Sequence, residues 1–215
     1  MTSVSPSVAL TALNWRYAVK KFDPAKKIPA DTWAALEQSL VLSPSSYGLQ
    51  PWKFFVVETP AIRQQLLPHS WGQGQIVDAS HLVVFAVKKN VGPADAERLV
   101  ARSAAVRGVP AEKLDGYKNM MIGSLTRGSA ADIDIWMSRQ VFIALGVFLT
   151  TAAMLGVDAC PMEGFVPEKY DEVMGLTAKG YAARVVATAG YRATDDASAT
   201  LAKVRYPVEE VIERV

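Results

Sequence analysis

From Asp132 to Val157 the chain almost loses its polar positions. Val141, Phe142, Ile143, Leu145, Phe148 and Leu149 leave little beyond Thr150 and Thr151 to break the apolar surface. Ser129 with Asp132 three residues on is a capping-box start, and Gly156 is a natural stop, so the pattern predicts one long helix. A helix that is apolar all round is buried or crosses a membrane. The apolar part falls short of a span, lacks basic flanks and sits mid-chain among charged helices, which points to a buried central helix. One subunit of 215 residues can hardly cover such a helix on every side, so a second subunit is expected to help.

Around this axis the periods switch between helix and strand. Residues 7–14 predict a short helix, and Asp31 caps another with Trp33, Leu36 and Leu40 on one face. Ser43-Pro-Ser-Ser-Tyr-Gly-Leu-Gln-Pro-Trp52 makes a rigid loop rich in hydroxyls and free N–H groups. It leads into a buried strand at 53–58. Thr59-Pro60 opens a short helix that Pro68 closes, and Trp71-Gly-Gln-Gly-Gln75 reads as a second loop. His81-Leu-Val-Val-Phe-Ala-Val87 is a continuous apolar run, the mark of a central strand over 82–88. Pro93 opens a helix to about Arg107, Gly108 and Pro110 break it, and a second helix runs from Ala111 to about Thr126. This pair reads as an excursion over 93–127. Short strands follow at 158–162 and 182–189, separated by a helix from Pro167 to Met174. A weakly alternating tail at 206–215 should lie on something else, such as a partner subunit. The whole, 1–215, reads as a single domain with that excursion.

Composition changes this picture little. Half the residues are apolar and 20% are charged, an ordinary globular mixture. The net charge is +2, and basic residues come in pairs such as Lys20-Lys21 rather than blocks, which argues against a nucleic-acid stripe or a polybasic membrane patch. Cys160 is the sole cysteine, so no intramolecular disulfide or thiolate metal cluster forms, and His69 and His81 lack metal spacing. Met1-Thr-Ser-Val-Ser-Pro has no basic start followed by an apolar core, so no signal peptide is expected and the cytoplasm is the default.

The candidate chemistry is thin. Arg16 and Lys20, four apart, are either a solvated basic face or an anion seat, since Arg offers phosphate a planar fork and Lys a point charge. Lys203 and Arg205 project the same way if extended. Glu163 reads as a surface carboxylate, while Gly164 marks a close backbone approach. Met120 and Met121 fill core gaps or line a permissive surface. His81 reads as a structural histidine and Cys160 as a small buried residue. The glycine-rich dinucleotide fingerprint, the P-loop and the nucleophile elbow are absent. Basic residues in two distant segments, a serine-rich loop and a glycine turn suit an anionic cofactor that carries its own chemistry.

In that order these segments resemble the FMN-dependent nitroreductase family of oxygen-insensitive nitroreductases and flavin reductases. Arg16-Tyr-Ala-Val-Lys20-Lys-Phe-Asp is similar to the family's N-terminal segment and Ser43–Trp52 to its SPSS-x-N-x-QPW loop. Asp78-Ala-Ser-His81, Trp136-Met-Ser-Arg-Gln140, Pro161-Met-Glu-Gly-Phe165 and Lys203-Val-Arg205 complete the series. The resemblance implies an α+β fold, a mixed central sheet flanked by helices in an intertwined homodimer, with the long helix in the dimer core and two FMN sites at the interface.

Carried over by position, it implies that Arg16, Lys203 and Arg205 hold the FMN phosphate and that Lys20 lies near the ribityl chain, the pyrimidine edge and the substrate. Pro44, Ser45, Ser46 and Gln140 would reach the cofactor from the other subunit. The Glu163-Gly164 backbone would meet the isoalloxazine, with the Gly164 N–H near N5. Tyr17, Ala18, Gln75, Pro161 and Met162 fall in the cofactor site by the same correspondence. Tyr47, Met121 and Ile122 would line the open face where nicotinamide and substrate alternate. No metal and no side-chain catalyst is implied. The chain departs from the family at Ala18 for a usual Ser, Gly48 for Asn, Gln75 for a Lys found in some members, and Gly72 for their Asn.

The implied activity is ping-pong hydride transfer from NADH or NADPH to flavin N5, then to nitroaromatics, quinones or free flavins. Alternatives are a specialised flavoenzyme of the same fold, dehalogenating or flavin-fragmenting, a flavin-binding protein without turnover, and a cofactor-free dimeric interaction protein.

Overall fold

The computed structural model describes residues 3–215. The first helix is α1, Pro6–Trp15, capped by the Ser5 hydroxyl, which accepts from Val8 N. Then comes α2, Ala30–Val41. Asp31 was expected to cap this helix. The cap is instead Pro29, and Asp31 sits in the first turn with its carboxylate accepting from the N–H of Thr32. The strand β1, Trp52–Val56, begins and ends slightly earlier than expected. Helix α3, Pro60–Leu66, has Pro at its first position, where no N–H is needed. Pro68 does not close the segment. A 3-10 turn at Leu67–Ser70 continues it, and the supposed loop then tightens into α4, Gln75–Asp78.

Strand β2 spans His81–Lys88, and the excursion consists of α5, Pro93–Arg107, and α6, Asp115–Arg127. Gly108 stops α5 in the left-handed region, at φ 64°, and the stretch Ala111–Leu114 is a 3-10 turn rather than the start of α6. The long helix α7 runs Ala130–Met154, with the capping box between Ser129 and Asp132 formed as expected. It ends before Val157. Gly156, at φ 69°, turns the chain, and Val157 N–H donates back to Ala152 O at 2.8 Å. Strand β3, Asp158–Met162, α8, Pro167–Met174, β4, Tyr181–Gly190, and the short α9, Val208–Val211, complete the chain.

The sheet order is β1-β2-β4-β3, and every neighbouring pair is antiparallel. The expected mixed sheet is not seen. The parallel contact is an isolated bridge between Ala18 and Ala159. The cause lies in the connections: Val57 N–H donates to Leu82 O, so the helices between β1 and β2 return the chain to the end it left. A parallel neighbour would need a crossover instead.

Strand β2 is apolar throughout because both sheet faces are covered. Val83, Phe85 and Val87 face α2 and α7, while Leu82, Val84 and Ala86 join Val19, Phe22, Leu66 and Tyr170 in a second core. A register shift at Phe85/Ala86 against β4 leaves Arg184 unpaired, and its guanidinium reaches Asp134 at 2.7 Å and Ser138 at 2.9 Å on α7.

Within the protomer α7 is not enclosed on every side. Met137, Val141, Ala144, Phe148 and Ala152 are buried, whereas Ile135, Phe142, Ile143 and Met154 stay exposed. The helix is long and apolar enough to cross a membrane, yet its buried face packs on the sheet and on α2.

His81 stacks on Trp33 with ring centroids 3.8 Å apart, as a structural histidine should. Burial, with Arg63 and Lys27 nearby, pushes its imidazole down to about 4. Between about pH 6.5 and that value the unfolded chain binds the extra proton, so this contribution is complete above pH 6.5 and is lost on acidification. We expect a loss of about 2 kcal/mol by pH 4 in urea titrations, allowing for partial exposure. His81→Phe should remove that acid limb, and an unchanged limb would assign it to other groups.

Candidate functional site

One hollow of about 470 Å³ collects residues from both ends of the chain. Arg16, Tyr17, Ala18 and Lys20 line one wall, and Ser198, Lys203 and Arg205 the other. No carboxylate lines it, so four cations, Arg16, Lys20, Lys203 and Arg205, share it. Burial and like charge both act on two of them. Burial and then Arg205 lower the Arg16 guanidinium, and burial with Arg16 and Arg205 lowers the Lys203 ammonium. Like charges held together without a counter-ion favour an anion that bridges them. The Lys203 ammonium donates to Arg16 O, and Arg205 Nη1 donates to Val204 O at 2.6 Å.

The walls are braced from behind. Asp158, buried, grips the Arg192 guanidinium, which lies 4.4 Å from the Trp15 ring centroid and 4.5 Å from that of Tyr17. Tyr17 OH donates to Asp196 at 3.0 Å, and its phenol is pushed up to about 12 by burial and that carboxylate. The Ala18–Ala159 bridge sets this wall against β3.

Beyond β3 the turn at Glu163 and Gly164 is built by residues the sequence did not single out. Gln73 Nε2 donates to Gly164 O at 2.8 Å and to Ser70 O at 3.1 Å. A Cβ on Gly164 would meet that nitrogen at 2.9 Å and the Trp71 ring at 3.0 Å, so both side chains would have to shift to admit one. Among the described residues no hydrogen bond uses the Gly164 N–H. Glu163 is exposed and Pro161 half-buried, but the Met162 side chain is enclosed in the second core and presents only its backbone. Gln75 is buried at the start of α4, within hydrogen-bonding reach of the Cys160 thiol. Burial pushes that thiol up against the pull of Lys20, Gln75 and Arg16, which keeps it un-ionised as expected.

The serine-rich loop forms a separate cluster, and none of its residues lines the hollow. Ser46 N–H donates to Gln140 Oε1 at 2.8 Å, and Trp136 Nε1 donates to Ser46 Oγ at 3.1 Å. Tyr47 is left-handed, at φ 57°. Its carbonyl accepts from Tyr117 OH at 2.7 Å, and its own hydroxyl meets Ser124 Oγ at 3.0 Å. Such strain persists only where neighbours hold it. Ser45 Oγ accepts from Gln50 N–H, while Pro44 begins the loop on the surface. Gln140 is itself buried, so it positions Ser46. One expected substrate contact fails: Met121 is fully enclosed in the main core, because α6 turns that side inward, and Ile122 is half-buried beside it.

The nitroreductase family profile matches residues 13–191. The chain belongs to the nitroreductase family. It is 35% identical over 226 residues to a Staphylococcus haemolyticus protein named as an NAD(P)H nitroreductase, covering 99% of each chain. It is also 35% identical over 208 residues to the oxygen-insensitive NAD(P)H nitroreductase of Salmonella typhimurium, covering 93% of this chain and 96% of the relative. This nitroreductase is therefore an oxidoreductase by family. Its fold is shared with a Bacillus subtilis nitroreductase at TM-score 0.87 and 19% identity, covering 98% and 100% of the two chains. An Exiguobacterium sibiricum nitroreductase solved in complex with FMN gives 0.80 at 19% identity, covering 100% and 99%.

Proposed function

We propose that this nitroreductase is an FMN-dependent NAD(P)H oxidoreductase that works as a homodimer and reduces nitroaromatics, quinones or free flavins. The observation that carries the cofactor reading is the hollow lined by four cations and no carboxylate, which fits a phosphate dianion better than any neutral ligand. The Gly164 N–H, in the turn that follows β3 and used by no hydrogen bond among the described residues, fits a ring acceptor of a flavin. When bound, FMN would supply the redox chemistry, taking a hydride from NAD(P)H and passing electrons to the acceptor.

The chain's own part is position and charge. Arg16, Lys203 and Arg205 would hold the phosphate end. Gln73 fixes the Gly164 carbonyl and so aims its N–H. Lys20 brings positive charge to the same wall, where it favours a more anionic reduced cofactor. Lys20 is the sole lysine of that wall, and the neutral Gln75 lies buried outside the lining, near Cys160. Tyr47, held in its strained conformation by Tyr117 and Ser124, is placed to shape the substrate entrance.

The dimer is supported by the uncovered apolar side of α7, where Ile135, Phe142 and Ile143 are 52%, 39% and 43% exposed, and by the exposed tail beyond Val204. An apolar face of that kind fits a protein–protein interface. It would also bring the separate Ser46–Gln140 cluster to a partner's hollow.

The test is an anaerobic visible spectrum of the purified protein. A flavin spectrum that bleaches with NAD(P)H and recovers with a nitroaromatic or quinone is expected. A bound flavin that never bleaches would mean storage or a specialised reaction, and a colourless protein indifferent to added FMN would overturn the reading.

A further inference from the structure

We propose that Asp196 is the positioning residue of the cationic hollow, fixing the segment that carries Arg16 and Lys20 to the segment that carries Lys203 and Arg205. The anion it serves is FMN phosphate only if the reading above holds, but the positioning itself is a property of the free chain.

Asp196 is 5% exposed and makes four contacts. Its Oδ2 accepts from Tyr17 OH and Lys20 N at 3.0 Å each and from Lys21 N at 3.3 Å. Its Oδ1 accepts from Ser198 N at 3.0 Å, which caps the turn Ala197–Thr200 leading to Lys203. One carboxylate therefore joins both walls of the hollow. Arg192, lying over the Tyr17 ring and gripped by Asp158, holds the phenol so that its hydroxyl meets Asp196. Burial alone would raise the Asp196 carboxyl, but the N–H groups of Ser198 and Lys20 and the Tyr17 hydroxyl outweigh it and hold it low.

An amide cannot replace this carboxylate. Asparagine has one acceptor oxygen. If that oxygen serves Tyr17, Lys20 and Lys21, the amide NH₂ faces the Ser198 N–H, two donors meet, and the turn loses its cap. The Lys203–Arg205 segment then loosens. Electrostatics alone argue the reverse, because removing a negative charge beside an anion site strengthens anion binding. The two explanations therefore predict opposite signs.

Asp196→Asn should speed amide hydrogen exchange across residues 198–205 of the cofactor-free dimer while leaving β4 unchanged. It should weaken FMN by about tenfold or more, the scale of one hydrogen bond to a charged group, while riboflavin, which lacks the phosphate, binds as before. Tyr17→Phe removes a single one of the four contacts, on the Arg16–Lys20 wall, and keeps the Ser198 cap, so it should speed exchange across residues 17–21 rather than 198–205 and weaken FMN about twofold to fivefold. It serves if the asparagine variant does not fold. Unchanged exchange in 198–205 of the asparagine variant or in 17–21 of the phenylalanine variant, tighter FMN, or equal losses for FMN and riboflavin would each overturn the proposal. Faster exchange in a protein whose unaltered form binds no FMN would uphold the positioning role and remove the cofactor reading instead.

Discussion

Arg63→Met is expected to destabilise the protein by about 3–5 kcal/mol, the loss in stability from leaving several buried carbonyls without donors. Arg63 is 7% exposed, and its guanidinium donates to Val57 O at 2.7 Å, Ala79 O at 2.6 Å and Ser80 O at 3.1 Å. No carboxylate pairs with it among the described residues, and burial lowers its guanidinium against the pull of Glu58. The side chain acts as a bracket between the end of β1 and the start of β2. Methionine fills the volume and satisfies none of the three carbonyls. Lysine restores charge without the planar fork, so Arg63→Lys should recover a minority of the loss. Urea denaturation measures both. The same bracket underlies the turn that carries Gln73, so Arg63→Met should also loosen the Gly164 contact. A methionine variant within about 1 kcal/mol of the parent would mean that water replaces the fork without cost.

Arg63 also shows where the sequence stops being legible. Asp78-Ala-Ser-His81 stood out as a motif, and the structure explains it: Ser80 Oγ accepts from Ile28 N and meets His81 Nδ1, while Ala79 and Ser80 offer their carbonyls inward. Nothing local says that an arginine in the preceding helix supplies the donors. Periodicity found the four strands and α7 because both depend on neighbours in sequence. It missed the antiparallel register because that depends on how α3 and α4 return the chain. The residues alone favour core filling for Met121; the resemblance carries it to an open face, and the structure encloses it in the main core. Asp196, Arg192 and Gln73 were invisible for a similar reason. They act across 179, 34 and 91 residues of chain respectively. Asp196 alone left a trace, as an Asp two residues before Ser198 at a turn. The segments proposed to face the flavin came from the resemblance, whereas the braces behind them are particular to the folded geometry.

Removing two cations from the hollow should nearly abolish its selectivity for a phosphorylated flavin. Arg205→Ala is expected to weaken FMN by about 1.5–3 kcal/mol, and adding Arg16→Ala should bring the total to about 3–5 kcal/mol, less than twofold additive because the two act on one group. The free protein should respond in the opposite direction. Arg16 and Lys203 are both held low by burial and by neighbouring cations, so deleting Arg205 relieves repulsion that the unliganded fold endures. Thermal stability without flavin should therefore hold or rise in Arg205→Ala, while the stabilisation conferred by saturating FMN shrinks, since a ligand stabilises by its affinity for the native state. Raising ionic strength should narrow the difference between variant and parent, because salt screens the contact that the variant lacks. Riboflavin is the control in every titration. If Arg205→Ala binds FMN as tightly as the parent, the phosphate lies elsewhere and the hollow serves a different anion. If FMN and riboflavin weaken together, the substitution has disturbed the ring-binding turn at Gly164 rather than the seat, and the two halves of the site are coupled more tightly than their separate bracing implies.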